Sequence, residues 1–260
     1  MPNPLVLTNL SKAGGVGKTT IAVNLAYEWS LRGLSVGIID LDSNHTLDAF
    51  VGIEPEPEPS KTSVVLFDKD FDGKYNFINA LERKNLFVFQ GHDLLDDVNK
   101  NIVSRKRREY ILKRVLAKYP PKLDLIIFDC AGGFDIFAEN ALAASTNVLI
   151  PVHIGVKALS VASLISHIYS LIEDLEIEPR PEILGLIPNH FNQTSANHLG
   201  VLEAVSEEAE ELELKVYSPI KTWQYLNNSA LYGKALKQLR SNDPMARIFA
   251  EIVDDLLINQ

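Results

Sequence analysis

Ser11-Lys12-Ala13-Gly14-Gly15-Val16-Gly17-Lys18-Thr19-Thr20 follows a short apolar run, Leu5-Val6-Leu7, and leads into a helical pattern carrying Ile21, Val23, Leu25, Ala26 and Trp29. The order is strand, glycine loop, helix. Successive small residues let the backbone curl so that its N–H groups converge on phosphate oxygens, and a helix beginning near Lys18 adds the positive end of its dipole. In this arrangement Lys18 reaches the outer phosphates and the Thr19 hydroxyl ligates Mg²⁺. Gly14, Gly15, Val16, Gly17, Lys18, Thr19 and Thr20 are therefore the candidate ATP-binding residues. The plainer alternative is a Gly-rich turn before a helix, and Gly-Lys-Thr in this setting argues against it. The match has one defect, because a strict phosphate-binding loop begins with glycine where this chain has Lys12.

Length and composition bound the remainder. A chain of 260 residues with 46% hydrophobic content fits one α/β domain spanning the whole sequence. Cys130 is the one cysteine, which excludes an internal disulfide framework and a cysteine-built zinc site, and suits a reducing cytoplasm. Met1-Pro2-Asn3-Pro4 carries no basic region ahead of the apolar run, so no leader peptide is expected. No apolar stretch approaches the ~18 residues needed to span a bilayer. The C-terminal pattern around Asp254 and Asp255 is acidic where a membrane-surface helix is basic. A net charge of −9 excludes blanket attraction to nucleic acid but leaves room for a local basic face.

Strands and helices alternate along the chain. Gly33 sits where a helix C-cap belongs, and Ser35 to Asp40 read as the next buried strand. Residues 54–60, Glu-Pro-Glu-Pro-Glu-Pro-Ser, read as an extended surface spacer. A short helix near 61–67, a weak strand at Leu86 to Phe89 and a helix from about 104 to 118 follow. Leu123-Asp124-Leu125-Ile126-Ile127-Phe128-Asp129 is nearly continuous in apolar residues, as a parallel strand covered on both faces should be. Beyond it the pattern predicts a helix at 134–144, a strand at Asn147 to Pro151 and a helix at 158–175. A strand at Ile183 to Ile187, a helix at 196–211, a short strand near 214–217 and a helix at 243–258 complete the chain. This alternation predicts a doubly wound, mostly parallel twisted sheet with helices on both faces.

Ligands bind at the carboxyl ends of the strands in such a sheet. That rule brings together the glycine loop after the first strand, Asp40 and Asp42 after the second, and Asp129 after another. Asp129 is placed to hold the metal. One of Asp40 and Asp42 positions a water against the γ-phosphate while the other serves the metal. Strand-ending Asp residues are also ordinary turn residues, so their case rests on the company of the glycine loop.

Gly14 to Thr20, with Asp40-Leu41-Asp42 and Leu125-Ile126-Ile127-Phe128-Asp129 beyond, resemble the ParA/MinD family of deviant Walker ATPases. Ile150-Pro151-Val152, Gly185-Leu186-Ile187 and Leu231-Tyr232-Gly233-Lys234 fall in the same order as in that family, so the resemblance covers nearly the whole chain. It implies an ATP-driven switch. Monomers bind Mg-ATP, close face to face into a homodimer around two nucleotides, bind DNA without sequence preference, and separate after hydrolysis stimulated by an adaptor protein. It further implies Lys18, Asp42 and Asp40 as catalytic residues and Thr19, Asp40 and Asp129 around the metal. Asn189 and Pro219 lie where the family recognises adenine.

The family's signature lysine, which reaches the partner's nucleotide, falls by register on residue 13, and residue 13 is Ala13. Lys12 stands one position early, and a one-residue shift in a tight loop turns the side chain elsewhere. A cation delivered in trans to a transferring phosphoryl group is worth roughly 10³ to 10⁵ in rate in other nucleotide hydrolases. Lys157, beyond the strand Val148-Leu149-Ile150, is the candidate replacement. A cation in the first turn of a helix opposes the dipole, and a nearby anion would account for it. Its alternative is a solvated surface lysine. Alanine before the Gly pair with a lysine after the fifth strand resembles the carboxysome-positioning branch of the ParA family.

Two basic regions compete for DNA. One is Arg105-Lys106-Arg107-Arg108 with Lys113, Arg114 and Lys118; the other runs from Lys215 through Lys221, Lys234, Lys237, Arg240 and Arg247. Either fits a solvated helix face as well. The resemblance favours the C-terminal set of Lys221, Lys234, Lys237, Arg240 and Arg247, with Trp223, Tyr225 and Tyr232 as stacking or packing groups. Histidines such as His92, His153, His190 and His198 lack metal-ligand spacing. The expectation is a cytoplasmic, nucleoid-associated Mg-ATPase that distributes a cargo. Its rivals are a plasmid or chromosome partition ATPase and, from another class, a P-loop biosynthetic enzyme of the dethiobiotin-synthetase type.

Overall fold

The computed structural model describes residues 4–155, 161–222, 226, 228 and 231–258. Strands β1 (Leu5–Asn9), β2 (Val36–Asp40), β3 (Ile78–Asn79), β4 (Leu86–Phe89), β5 (Leu125–Asp129), β6 (Asn147–His153) and β7 (Glu182–Asn189) form one seven-stranded sheet in the order β3-β4-β2-β5-β1-β6-β7. All neighbours pair in parallel except the two-residue edge strand β3. The doubly wound α/β arrangement predicted from the alternating pattern is the one observed.

Each central strand is buried on both faces, which is why its sequence reads as continuous rather than alternating apolar. Leu7, Ile38 and Ile127 point to one side, where helices α1 (Lys18–Leu31) and α2 (Leu47–Val51) pack with two later helices, α8 (Leu236–Leu239) and α9 (Ala246–Ile258). Val6, Ile39, Ile126 and Phe128 point to the other, where α3 (Leu95–Ile102), α4 (Ile111–Lys118) and α5 (Ile136–Ala144) pack. α6 (Val161–Asp174) and α7 (Ala196–Glu211) cover β6 and β7 on that second side.

Helix α1 is enclosed by sheet and α9, so Ile21, Ala22, Leu25, Ala26 and Trp29 are all buried. It ends at Arg32, with Gly33 in the left-handed conformation at φ 81°. Arg32 ties this end to α9, its Nη2 standing 2.6 Å from Asp254. Buried Glu28 accepts Lys237 Nζ through Oε2 at 3.0 Å, fastening α8 to the same helix.

Several expected elements differ. The helix predicted over 104–118 begins at Ile111, because Arg107 adopts φ 52° and only a short 3-10 turn at Arg108–Tyr110 precedes it. The strand near 214–217 reduces to an isolated bridge between Leu186 and Val216, and Pro219 shortly after has no N–H to extend a ladder. The last helix starts at Ala246, since Asp243 turns the chain and accepts Met245 N at 3.0 Å. The predicted helix near 61–67 is a pair of 3-10 turns, Pro59–Lys61 and Ser63–Phe67. Helices α2, α3 and α8 and strand β3 lie outside the expected elements, although Leu95, Val98 and Ile102 of α3 recur at helical spacing.

Gly52, just after α2, and Gly233 meet back to back. A Cβ on Gly233 would lie 2.3 Å from the Gly52 Cα, where there is no room for it, whereas one on Gly52 would meet Gly233 O at a tight 3.1 Å. Among the described residues no helix is long and apolar enough to cross a membrane.

Candidate functional site

The chain passes from β1 outward through β2 and β4, returns to β5 beside β1, then continues to β6 on the far side. The order therefore reverses around β1, and the carboxyl ends there leave a crevice. A cavity of about 580 Å³ occupies it, lined by the glycine loop and Lys18 to Thr20, by Asp42, Asn44, Thr46 and Phe50 after β2, by Cys130 to Gly132 after β5, and by Asn189 and His190 after β7.

The loop keeps its shape through its neighbours. Gly17, at φ 93°, starts α1, and Ile21 N donates to its carbonyl at 2.9 Å. Gly132 comes so close that a Cβ there would sit 2.6 Å from Gly14 N, so the turn after β5 supports the loop only because it lacks a side chain. Asn189 Nδ2 donates to Val16 O at 2.8 Å and its Oδ1 accepts His190 N at 2.8 Å. Both ends of the carboxamide expected to face adenine are thus engaged, Nδ2 with the loop and Oδ1 with the neighbouring backbone. Pro219 is half-buried and is absent from the cavity lining, while Ile220 N beside it donates to Pro188 O at 2.8 Å.

Asp40 and Asp129 occupy paired positions across β2 and β5. Asp40 Oδ1 accepts Asp42 N at 3.0 Å, but its Oδ2 is buried without a hydrogen-bond partner. Thr19 donates its hydroxyl to Asp129, whose Oδ1 is likewise buried and unpartnered. Burial first, then the Asp129 charge, pushes the Asp40 carboxyl well above the ordinary carboxylate range. Burial also raises Asp129, to about 7, against the lowering effects of the Thr19 hydrogen bond and the Lys18 ammonium. Two buried carboxyls with open oxygens beside a threonine hydroxyl are what a divalent cation with bound phosphate would satisfy. Among the described residues no cluster of three or more His, Cys, Asp or Glu side chains forms an all-protein metal cage. That composition fits Mg²⁺, which keeps waters and substrate phosphates as ligands. Asp42 stands at the cavity wall, its Oδ1 accepting Asn44 N and Nδ2 at 2.9 Å each.

The phosphate loop, Asp42 and the Asp40–Asp129 pair are therefore brought together. Ala13 is half-buried and Lys12 is exposed. Lys157, Trp223 and Tyr225 lie outside the described residues. Of the basic residues expected to face DNA, Lys221 instead lines the nucleotide cavity, donating to Gln193 at 2.5 Å. Lys234 pairs with Glu82 at 3.8 Å, Lys237 with Glu28, and Arg240 with Asp243 at 4.0 Å; Arg247 is exposed.

Sequence reasoning missed His190. Its Nε2 is 3.0 Å from Gly15 O, and its ring stacks on His153 with centroids 4.5 Å apart. Thr46, Phe50 and Thr222 also line the cavity unannounced. The nearest available signal was position, since His190 directly follows a strand end.

The family model AAA_31, described as AAA domain, matches residues 6–180, which includes the glycine loop and all three acids. The chain belongs to the AAA_31 family. The sporulation initiation inhibitor protein Soj of Bacillus subtilis is 26% identical over 98% of this chain and 98% of its own length. The maintenance of carboxysome distribution protein A of Synechococcus elongatus is 27% identical over 71% of each. The family match and these relatives bear out the resemblance to ParA/MinD ATPases. Among solved structures, an ATP complex of Cyanothece McdA superposes with TM-score 0.87 at 23% identity, covering 98% of this chain and 97% of that one. Cobyrinic acid a,c-diamide synthase from Mycobacterium smegmatis, with an ATP analogue and magnesium, gives 0.80 at 25% identity over 98% and 94%.

Proposed function

We propose that this chain is a ParA-type positioning ATPase. It binds Mg-ATP, closes into a homodimer over the carboxyl ends of its sheet, associates with DNA without sequence preference, and releases after an adaptor protein stimulates hydrolysis. Carboxysomes are a candidate cargo, by the likeness to the carboxysome distribution protein. The observation that carries the reading is the pair of buried, open carboxyls, Asp40 and Asp129, beside Thr19 at the foot of a glycine loop.

Bound Mg²⁺ would supply the positive charge that offsets the phosphoryl oxygens during transfer. Lys18 holds the outer phosphates, and its 7% exposure means that its charge acts with little screening by solvent. The Thr19 hydroxyl oxygen, with Asp40 and Asp129 behind it, would hold the metal and its bound waters. Asp42, on the open wall, orients the attacking water. The backbone N–H groups of Gly14 to Thr20 and the start of α1 hold the remaining phosphate charge. Lys157 is the proposed trans cation in place of the residue that Ala13 replaces.

Size-exclusion chromatography with light scattering tests this directly. Lys18→Ala should bind no ATP and stay monomeric. Asp42→Ala should bind ATP, accumulate as a dimer and lose at least about tenfold in hydrolysis, as removal of a water-positioning group does. Parental turnover in Asp42→Ala removes Asp42 from that role.

The likeness to the diamide synthase favours a second reading, a P-loop synthase acting on a carboxylic acid. Turnover of such a substrate without ATP-dependent dimerisation would decide for it. Partition of a plasmid or chromosome uses the same mechanism with a different cargo.

A further inference from the structure

We infer that the basic groove beside α4 is the surface on which this chain holds the phosphodiester backbone of duplex DNA. The identity of the partner rests on the proposed positioning function; the location rests on the surface itself. A cavity of about 490 Å³ is walled by Lys69, Arg105, Lys106, Arg114 and Lys118, with the rings of Phe71 and Tyr119 within it and Asp68 as its acid. A second hollow of about 310 Å³ shares Arg114 and adds Arg107 and Lys113, with Glu176 and Glu178 on its rim. The two together make a track along both flanks of one short helix.

Charge decides the chemistry. Residues 103–119 hold seven lysines and arginines against the single acid Glu109. Among the described residues none of the seven forms a salt bridge; Arg105, Arg108 and Lys113 donate to the carbonyls of Phe67, Val103 and Glu178. Aromatic rings support the cation stems, with Lys118 Nζ 4.8 Å from the Tyr119 centroid and Arg107 and Lys113 each 5.8 Å from that of Tyr110. Arg114 and Lys118 are four residues apart and so share a helix face.

The C-terminal cations, apart from the exposed Arg247, present the opposite picture. Lys215, Lys234, Lys237 and Arg240 are all matched by carboxylates, and Lys221 is turned to the nucleotide cavity. A cation already neutralised by its own chain displaces fewer counterions from DNA and adds less affinity. The two regions also lie on opposite layers of the sheet, α4 on one and α1, α8 and α9 on the other. A dimer closed over the carboxyl ends would leave the α4 groove open on its outer flank. A lipid surface is disfavoured because it takes projecting apolar groups, and Val103 is the one large exposed apolar residue in this segment.

Fluorescence anisotropy with a random-sequence 40-base-pair duplex, in ATP at several KCl concentrations, tests the inference. Lys106→Glu/Arg114→Glu/Lys118→Glu should bind at least about tenfold more weakly, and its salt slope should fall by about two to three units, each phosphate contact contributing about 0.9. The milder Lys106→Gln/Arg114→Gln/Lys118→Gln should show the same direction. Both should keep ATP-dependent dimerisation, which certifies their fold. Unchanged DNA affinity in both variants overturns the inference, as does a larger loss in Lys234→Ala/Arg247→Ala, two C-terminal cations outside the nucleotide cavity. Binding of the parent to phosphatidylglycerol vesicles but not to the duplex overturns it too, while dimerisation on ATP would leave the ATPase reading standing.

Discussion

Asp48 is a buried acid behind the site, with 2% of its surface exposed, and burial raises its carboxyl to about 6 against the lowering influence of Gln90 and His45. A carboxyl raised in the folded state favours folding only while protonated. Its contribution is complete below its unfolded value near 4 and is lost as pH rises through about 6. Asp48→Asn should therefore stabilise the protein above pH 7 by something on the order of 2–3 kcal/mol and leave it nearly unchanged at pH 4, as denaturant titrations at the two pH values would measure. Gly132→Ala should cost at least about tenfold in ATP affinity by calorimetry, because its Cβ meets the backbone of Gly14 where nothing flexible can give way. His190→Ala should weaken ATP binding by a smaller factor while the fold is kept. At this scale the phosphate loop and the strand-ending acids were legible because each is a local pattern, readable within a few neighbours. His190 was not, since its contact with Gly15 spans 175 positions and exists only after β7 has been laid beside β6.

Elements were legible where burial imposed a period. β5 and α7 stand out in the sequence because one is covered on both faces and the other begins at a capping Ser195, whose side chain accepts His198 N at 3.3 Å. The segment before α4 misled for a physical reason: its run of cations is compatible with a helix, but Arg107 takes a left-handed conformation that no periodicity signals. Helix α8 is only four residues long and depends on tertiary partners, among them Asn24, which accepts Leu236 N at 2.8 Å, and Glu28. Lys237→Ala should accordingly cost about 1–3 kcal/mol, since it leaves a buried carboxylate with less compensation. A drop in melting temperature without loss of ATP affinity would be the corresponding observation.

For the whole molecule, the sheet order decides what a dimer can share. The glycine loop, Asp42 and the β6 exit all lie at one rim of the sheet, so a copy facing that rim meets the nucleotide directly. Lys157→Ala should weaken ATP-dependent dimerisation without unfolding the monomer, and unchanged dimer fractions by light scattering would return Lys157 to a solvated role. This part was least legible, because Ala13 stands where the resemblance leads one to expect a lysine that would mark a shared site. Helices α4 and α9, with their different charge balances, occupy opposite layers, which the chain order alone does not disclose.

The contact between Gly52 and Gly233 couples two regions far apart in the chain. One belongs to the segment that follows Asp42, the other to the stretch ahead of α8, and the Gly52 backbone leaves no room for a side chain at Gly233. Neither segment can drift alone under mutation, so homologues that enlarge one position should show a compensating displacement of the other. In mechanical terms the pair is a bearing without padding: a shift of the loop after β2 would be handed to the C-terminal segment with no side chain between them to absorb it.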